Sequence, residues 1–551
     1  MEKRLILAIV LSFLIIFLWQ AVFLKNKPQA RPAATSQVQT PVATPAKPDP
    51  GPVTPSLQVP VESEPAGQAG TAAEVKAEAE EQVLIDTPLY RAAWSNRGGV
   101  LRSWKLKTHK DERNEDLEIV PSLSRETGLY PFMVKTEDQA VDAALNNALF
   151  RMSSSKIELK DGERGTVRFE YSDGQSLRAE KVMVFEGGRY DFSLEIRLWK
   201  NGQRVEPRLV WGPGIGDNLL VQKRQAYGGA IGSAVLAANK VFRMSEKKYR
   251  PDQSAYNFVD WAAYEDNYTA ALFLMPQAKG NAALILEMKD KTPLPYLSVS
   301  PPERVYIGPK EMDTLKAFHP TAKRLINFGF FGAVSEVLLV GLKFFHRFIP
   351  NWGAAIILLT LVTKIIFFPL TYSSTKSMAK MQEIQPKIKA IRAKYKKAKR
   401  DMAQRREMNE EMMKLYKEHG INPAGGCLPI LIQLPIFWGF FRILVVAIEL
   451  RRSPFVLWIK DLSVKDPYYV TPILMGVTQF ISQKMTPSGA DPAQARMMLL
   501  MPVVMTVFFM NFQSGLVLYW LTNNVLQIGQ QYIMNRMMQK KRETHGKRRE
   551  K

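Results

Sequence analysis

The chain has 551 residues and a formal charge of +23, so it is too long for one small domain and far more basic than an ordinary neutral enzyme. This charge favours an anionic partner, such as nucleic acid or an acidic membrane surface. A single cysteine, Cys427, excludes an internal disulfide bond and a cysteine-based zinc site, because both need at least two thiols. The five histidines are scattered without metal-ligand spacing, and we expect no metal and no cofactor.

The first predicted element is a membrane-spanning helix. Lys3 and Arg4 precede an apolar run over residues 5–24, which is about the ~20 residues needed to cross hydrocarbon. No small-residue cleavage site follows, so we interpret 5–24 as an uncleaved signal anchor with residues 1–4 in the cytoplasm. A signal peptide that is removed is the alternative. Residues 25–81 are rich in Pro, Ala, Thr and Gln without apolar periodicity, which predicts a disordered exported linker.

Residues 82–320 change to short segments in which apolar and polar residues alternate, separated by Asp-Gly, Gly-Gly and Asn-Gly turns. This pattern is typical of an antiparallel β-sandwich, and the segment is long enough for a substantial two-sheet core. Residues 321–350 carry charges that interrupt apolar faces at helical spacing. They predict an amphipathic helix in the outer membrane interface, with a helix packed on the sandwich as the alternative.

Five further apolar segments predict transmembrane helices, which makes six in all, with both termini in the cytoplasm. These five segments are residues 351–372, 427–447, 468–485, 497–512 and 513–533. The other segments are predicted as a cytoplasmic helical hairpin (373–426), an exported loop (448–467), a cytoplasmic loop (486–496) and a basic cytoplasmic tail (534–551). The net charge is +8 over residues 371–420 and +6 over the tail, as the positive-inside rule requires.

The predicted hairpin has internal order. Apolar residues recur every three or four positions on both sides of a basic segment, residues 396–401, which predicts two helices joined by a basic tip. One interpretation is a charged hairpin that is simply solvated. The other is a docking site for ribosomal RNA, anionic lipid or a targeting factor.

Lys364 lies inside the second predicted span, on one stripe with Thr360, Thr363 and Thr371. A charge at a helix centre costs on the order of 2.5–3.5 kcal/mol on insertion scales, so a partner is expected. The interiors of the last five predicted spans contain no Asp or Glu, which disfavours a proton pump or an ion transporter. Either Lys364 lies in a wet recess that awaits an acidic group from outside, or it snorkels to the cytoplasmic interface.

Polar side chains also recur at helical spacing on two later spans, and they are candidates to line the same recess. They are Thr478, Gln479, Ser482 and Gln483 on the fourth span, and Asn523, Asn524, Gln527 and Gln530 on the sixth. Arg442, near the outer end of the third span, lies on the face opposite Gln433 and is expected to snorkel outward. The fifth span is short, which predicts local thinning of the bilayer.

Three segments carry a resemblance to a known family: "NWGAAIILLTLVTKIIFFPLT", "INPAGGCLPILIQLPIFWGFFRIL" and "MPVVMTVFFMNFQSGLVLYWLTNN". They closely resemble the YidC/Oxa/Alb insertase family, and the long exported domain resembles its Gram-negative form. The resemblance implies a non-enzymatic insertase and chaperone that inserts nascent inner-membrane proteins through a hydrophilic groove, alone or with the Sec translocon. It also implies that residues 82–320 form a periplasmic β-supersandwich.

The resemblance further implies where the substrate groove lies. The family usually has arginine where this chain has Lys364, so the positive charge is kept but the bidentate fork is lost. Together with the polar stripes, this predicts a groove made of Lys364, Thr360, Gln433, Gln479, Tyr519, Trp520 and Asn523.

The implied partners are nascent membrane proteins, the Sec translocon, anionic lipids, and the ribosome and signal recognition particle pathway, which would meet the hairpin and the basic tail. The functional unit is expected to be a monomer. Two rival interpretations remain: a membrane-anchored periplasmic carbohydrate-binding or ligand-binding protein, and a transporter.

Overall fold

The structure is a computed structural model that describes residues 73–111, 113–216, 231–245, 248–276, 280–289, 292–395, 401–421, 428–486 and 492–549. All of them belong to one of the two units into which the chain divides, residues 57–551. The predicted signal anchor, most of the predicted linker, most of the hairpin tip and Cys427 lie outside the described residues.

The first part of the described chain is a β domain built from two sheets. Its strands β1–β19 are Gln82–Asp86, Tyr90–Ser95, Val100–Lys110, Asp116–Glu118, Val134–Lys135, Arg151–Met152, Lys156–Glu158, Arg164–Ser172, Leu177–Glu186, Asp191–Lys200, Gln203–Arg204, Arg208–Trp211, Gly232–Ala237, Lys240–Ser245, Ala255–Glu265, Thr269–Leu274, Gly280–Lys289, Thr292–Val299 and Arg304–Pro309. The smaller sheet has the order β4-β3-β2-β1-β7, in which β1 and β7 pair in parallel. The larger sheet has the order β5-β12-β18-β17-β15-β16-β19-β10-β9-β8-β6, and β11, β13 and β14 attach beside it.

Local sequence explains the strands and the turns between them. In β8, Val167 and Phe169 are buried while their neighbours are more exposed, as alternation predicts. Between β10 and β11, Asn201 and Gly202 both have positive φ angles, 51° and 75°. A two-residue hairpin turn of this kind needs two left-handed residues, which is why Asn-Gly occurs there.

Aromatic side chains fill the space between the two sheets. Trp94 and Trp104 come from the smaller sheet, and their rings lie 6.1 and 5.9 Å from the ring of Phe192 in the larger sheet. Tyr90 stacks on Trp104 at 4.0 Å. These large rings are fully buried or nearly so, and burial of apolar surface is the main stabilising contribution to such a core. The prediction of a β-rich domain is therefore confirmed.

A buried lysine lies in the same domain. Lys181, on β9, is 2% exposed, and its ammonium donates hydrogen bonds to the carbonyl oxygens of Gly98, Gly99 and Phe132 at 2.7, 3.0 and 2.9 Å. These three bonds use the three N–H groups of the ammonium. Burial lowers the pKa of Lys181 to about 7.

The prediction of a disordered linker up to residue 81 is wrong at its end, because residues 73–81 pack on the β domain. Val75 exchanges backbone hydrogen bonds with Ser172 at 2.9 and 2.8 Å. Glu80 accepts a hydrogen bond from the guanidinium of Arg97 at 2.8 Å, and this interaction lowers the pKa of Glu80. The segment is held by backbone pairing and ion pairs, so its lack of apolar periodicity was a poor guide to its order.

Helices dominate the chain after the β domain. Two short helices, α1 and α2, lie within the β domain itself. The helices α1–α11 are Leu123–Thr127, Gln139–Asn147, Met312–Phe318, Gly332–Phe348, Trp352–Glu383, Gln385–Lys394, Met402–Glu418, Leu428–Val446, Val470–Met485, Pro492–Phe509 and Ser514–Arg549. Helix α4 packs against α5 and α8, while α11 packs against α5, α8 and α9. Helix α10 packs on α9, and α6 pairs with α7.

Helix α4 occupies most of the segment predicted as an interfacial helix. Its buried side, which includes Leu339 and Leu342, packs on its helical neighbours. Lys343 forms ion pairs with Asp313 of α3 at 2.8 Å and with Glu449 at 2.9 Å. Glu449 is largely buried, and this burial raises its pKa. Helix α4 thus joins the β domain to the end of α8, while its place in a membrane interface stays a prediction.

Helix α5 is longer than the span predicted at 351–372, since it continues through Pro369 to Glu383. It ends at Glu383, just before α6, whose second residue, Pro386, has no backbone N–H to donate to the carbonyl of Gln382. Among the described residues, α5 is the one helix long and apolar enough to cross a membrane by length and composition. Ile432–Val446 and Leu499–Phe509 are shorter apolar stretches, so the number of spans stays a prediction.

The start of α5 is held by the segment that follows α8. The side chain of Asn351 caps the helix by accepting a hydrogen bond from the N–H of Ala354 at 3.0 Å, and its amide donates to the carbonyl of Phe455 at 2.9 Å. At Gly353 an added Cβ would lie 2.0 Å from a ring carbon of Phe455. The close contact therefore needs glycine.

Helices α6 and α7 form a small hairpin with its own apolar cluster. Ile384, Ile388 and Leu415 are buried in this cluster. Lys394 and Glu411 form an ion pair across the two helices at 3.0 Å. The cluster is small, so the hairpin presents most of its charged side chains to solvent.

Candidate functional site

A recess lies between α5, α8 and α11. Including its open mouth, it has about 500 Å³ of empty volume. Its lining residues are Thr360, Thr363, Lys364, Phe367, Leu370, Thr371, Ile432, Gln433, Ile436, Tyr519, Asn523 and Gln527. Among these twelve residues, all within the described part of the chain, Lys364 alone carries a charge and none is a carboxylate. The recess is therefore a positively charged cavity lined by both polar and apolar side chains.

Lys364 is half-buried, and its ammonium donates a hydrogen bond to the side-chain Oε1 of Gln527 at 2.8 Å. Helices α5 and α11 both begin beside the segment after α8, since Asn351 bonds Phe455 and Ser514 bonds the carbonyl of Asp461 at 3.0 Å. Lys364 and Gln527 each lie roughly twelve residues from the start of their helix, which is about 18–20 Å along the axis. Lys364 is thus bonded to Gln527 at this position along α5, and its side chain is not turned toward the end of the helix, as the snorkelling alternative would require.

The threonines beside Lys364 share one arrangement. The hydroxyls of Thr360, Thr363 and Thr371 each donate to the carbonyl four residues earlier in α5, at 2.6, 2.7 and 3.0 Å. This local bond is a common way for a helix to satisfy a hydroxyl in an apolar environment. Their oxygen lone pairs stay available as hydrogen-bond acceptors, so they make the α5 wall polar without adding charge.

The opposite wall comes from α8 and α11. The amide of Gln433 donates to the hydroxyl of Tyr519 at 3.3 Å, and the ring of Tyr519 stacks on Phe440 at 4.3 Å. Tyr519 is 2% exposed, so it acts as a buried part of the wall, whereas Asn523 and Gln433 are half-buried and line the cavity itself. The structure therefore brings Lys364 and four other predicted site residues to one recess.

The remaining two predicted residues, Gln479 and Trp520, are not among the residues that line the recess. The indole N–H of Trp520 donates to Oε1 of Gln479 at 3.1 Å, and its ring packs on Phe437 and Phe509 at 5.3 and 5.5 Å. Trp520 therefore contacts residues of α8, α9 and α10, whereas its neighbour Tyr519 lines the recess.

The polar side chains predicted as one stripe on the sixth span point in two directions in α11: some line the recess, and one contacts α9. Asn523 and Gln527, four residues apart, face the recess. The amide of Asn524 instead donates to the carbonyl of Met475 on α9, at 3.1 Å. Gln527 belongs to the predicted stripe but not to the seven residues of the predicted groove. Its spacing from Asn523 is the signal that would have included it.

Arg442, which is predicted to snorkel outward, has a partner in another segment of the chain. Its guanidinium donates to the carbonyl of Asn327, in the segment that leads into α4. A helical wheel correctly separates it from Gln433, but a wheel cannot show that another segment of chain covers that face. Among the described residues, no three His, Cys, Asp or Glu side chains come together to hold a metal ion.

The fold and the recess define a class: a helical membrane protein that carries a β domain and a hydrophilic recess between its helices. A family profile described as 60Kd inner membrane protein matches residues 344–542, and one described as YidC periplasmic domain matches residues 82–340. The chain belongs to the YidC membrane protein insertase family.

Curated relatives with the name membrane protein insertase YidC match between about four fifths and nearly all of the chain. The protein of Syntrophus aciditrophicus is 36% identical, over 97% of this chain and 100% of the relative. That of Geotalea daltonii is 36% identical, over 98% and 100%. That of Geobacter sulfurreducens is 38% identical, over 82% and 85%.

Two solved structures of the family also match. A crystal structure of active YidC insertase with the first transmembrane domain resolved is 20% identical, with a TM-score of 0.35 over 84% of this chain and 94% of that one. The structure of YidC from Thermotoga maritima is 14% identical, with a TM-score of 0.27 over 83% and 98%.

Proposed function

We propose that the recess between α5, α8 and α11 receives the polar end of a nascent inner-membrane protein and helps to move it across the membrane. The observation that carries this proposal is the ammonium of Lys364, which lies in a cavity of apolar helices with a neutral amide as its partner. Even a half-buried charge without a counter-ion is costly, so Lys364 is expected to serve a function.

The substrate would enter as an acidic tail followed by an apolar segment. Attraction between its carboxylate and Lys364 lowers the cost of bringing the tail into the recess, and the polar walls replace part of its hydration. The outer surface of α5 beside the recess is apolar and exposed, with Ile365 at 63% and Ile366 at 65%. The substrate's apolar segment can leave along this surface into lipid, and its burial there supplies the driving force.

The proposed topology follows from the charges. Six spans, cytoplasmic termini and a periplasmic β domain place the +8 segment (371–420) and the +6 tail (534–551) in the cytoplasm. The α6–α7 hairpin and the tail are then positioned to contact anionic lipids, or the ribosome and signal recognition particle. We further propose a monomer that works alone or beside the Sec translocon, without a catalytic step.

The rival of a ligand-binding protein with an inert membrane anchor is not favoured. Its β domain would carry the function, yet the family match extends over residues 344–542, the helical part that contains the recess. Fold likeness of a β-sandwich to carbohydrate-binding domains confers no activity by itself.

Photo-crosslinking to a stalled nascent chain tests the proposal. A photoreactive amino acid is placed at Gln433, Asn523 or Thr371, which line the recess, and at Gln479 as a matched control on an amide outside it. We expect crosslinks to the substrate tail from the three recess positions and several-fold fewer from the control. Equal crosslinking from all four positions, or none from the recess, would contradict the proposed entry route.

A further inference from the structure

We propose that Gln527 is a positioning residue: it holds the Lys364 ammonium in the recess between substrates and releases it to the carboxylate of an incoming tail. This inference rests on the proposed function. It describes the site before a substrate arrives, and it gives the amide of Gln527 a role distinct from that of the Lys364 charge.

The first argument is the position of the bond. It joins α5 to α11 across the recess at 2.8 Å, so the ammonium is directed into the cavity that the substrate would enter. Lysine has four rotatable side-chain bonds, and without a partner at this depth it would turn toward the cytoplasmic interface, where its charge is hydrated. Gln527 therefore keeps the charge where it is useful.

The second argument is the chemistry of the partner. A carboxylate at position 527 would form a lasting ion pair with Lys364 and cancel the charge that is needed. An amide oxygen offers only a dipole, so it can be displaced by a full negative charge, which makes a stronger charge-assisted hydrogen bond to an ammonium. The Lys364 ammonium is thus held by a bond that an incoming carboxylate can replace.

The third argument is that an amide suits both states. In the resting state, Oε1 of Gln527 accepts the bond from the ammonium. After exchange, its amide group can donate to the second oxygen of the substrate carboxylate. Asn523, one helical turn earlier on the same face, brings a second amide to the cavity. Lysine and glutamine together would then bind both carboxylate oxygens, which a lone lysine does not do.

The test compares two single-span substrates that differ only in an aspartate or an asparagine in the translocated tail. Three variants of the full chain are assayed in proteoliposomes: Gln527→Glu, Gln527→Leu and, as reference, Lys364→Gln. We expect Gln527→Glu to lower insertion of the acidic substrate at least tenfold, close to the reference variant. Gln527→Leu should lower it by about threefold to tenfold. The ratio of acidic to neutral insertion reports the charge-dependent step, and protease resistance equal to that of the parent chain shows that the variants are folded.

A matched control is Gln479→Leu, which removes an amide that bonds a ring outside the recess. It should leave the ratio of acidic to neutral insertion unchanged. If Lys364→Gln lowers that ratio but both Gln527 variants behave as the parent chain, the role of Gln527 is refuted and the charge step stands. If Lys364→Gln leaves the ratio unchanged, the charge step fails and this inference fails with it.

Discussion

Replacing Lys364 with glutamine removes the charge of the recess and leaves a polar side chain that can still bond Gln527. The change therefore separates charge from shape. Lys364→Arg is the natural control, because it keeps the charge and alters the geometry. We expect the glutamine variant to lose insertion of acidic-tailed substrates selectively, and the arginine variant to stay within about threefold of the parent chain.

The magnitude follows from the contacts in the recess. An ammonium and a carboxylate about 4 Å apart attract by about 4 kcal/mol at an effective dielectric constant near 20. To form this contact, Lys364 gives up its hydrogen bond to Gln527, which is worth about 2 kcal/mol for a charged donor. The difference, about 2 kcal/mol, corresponds to a roughly 30-fold change in occupancy of the recess by the tail.

The assay measures insertion into proteoliposomes at limiting insertase, read out by protease accessibility of the translocated tail. A substrate with one aspartate in the tail is compared with its asparagine counterpart. The reasoning is refuted if Lys364→Gln inserts the acidic substrate within twofold of the parent chain. It is also refuted if both substrates fall by the same factor, since that result would indicate a general loss of structure.

Three further changes probe the parts that support the site. Lys343→Met leaves the buried Glu449 carboxylate unpaired and should lower the free energy of unfolding by about 3 kcal/mol, measured by pulse proteolysis. Gly353→Ala forces a Cβ against Phe455 and should cost about 1–3 kcal/mol in the same assay. Burial lowers the pKa of Lys181 from 10.5 to about 7, so between pH 7 and 10 the unfolded chain binds more protons than the folded one. Stability of the β domain should therefore rise by about 1.4 kcal/mol per pH unit in this range, and Lys181→Met should abolish the rise.

Each of these changes has a control. Lys323 forms an exposed ion pair with Glu336 at 3.4 Å, so Lys323→Met should cost less than about 1 kcal/mol; an equal loss would show that burial is not the cause. Gly529 has open space where a Cβ would lie, and Gly529→Ala should be neutral or slightly stabilising. A loss there as large as at Gly353 would rule out the packing argument. For Lys181, a flat pH profile in the parent chain would contradict the lowered pKa.

Local pattern was enough to predict much of the fold. Alternation and Asn-Gly turns identified the β domain, because strand period and turn geometry are short-range properties. The order of the strands in the large sheet was not predictable, since it depends on pairing between distant segments. The buried position of Lys181 was missed for a related reason: its partners are carbonyl oxygens of a turn and a loop far away in sequence.

The site was also predictable only in its local features. Helical spacing placed Thr360 and Lys364 on one face of α5, and the structure directs that face into the recess. Helical spacing alone does not show which helix packs against a given face of α9 or α11. Gln479 was therefore assigned to the groove although it bonds Trp520, and Gln527 was left out although it bonds the charged residue.

Helix α5 is continuous from its cap at Asn351 to Glu383, and this continuity has a mechanical consequence. Its 32 residues form a rod about 48 Å long, anchored at one end by the bond to Phe455 and joined at the other to the α6–α7 hairpin. Lys364 lies about 18 Å from the anchored end. If a particle that docks on the hairpin swings this rod about its anchor, Lys364 moves by about two fifths of the displacement at the hairpin. The helix would thus act as a lever arm that converts a displacement at the hairpin into a smaller displacement of the charge in the recess.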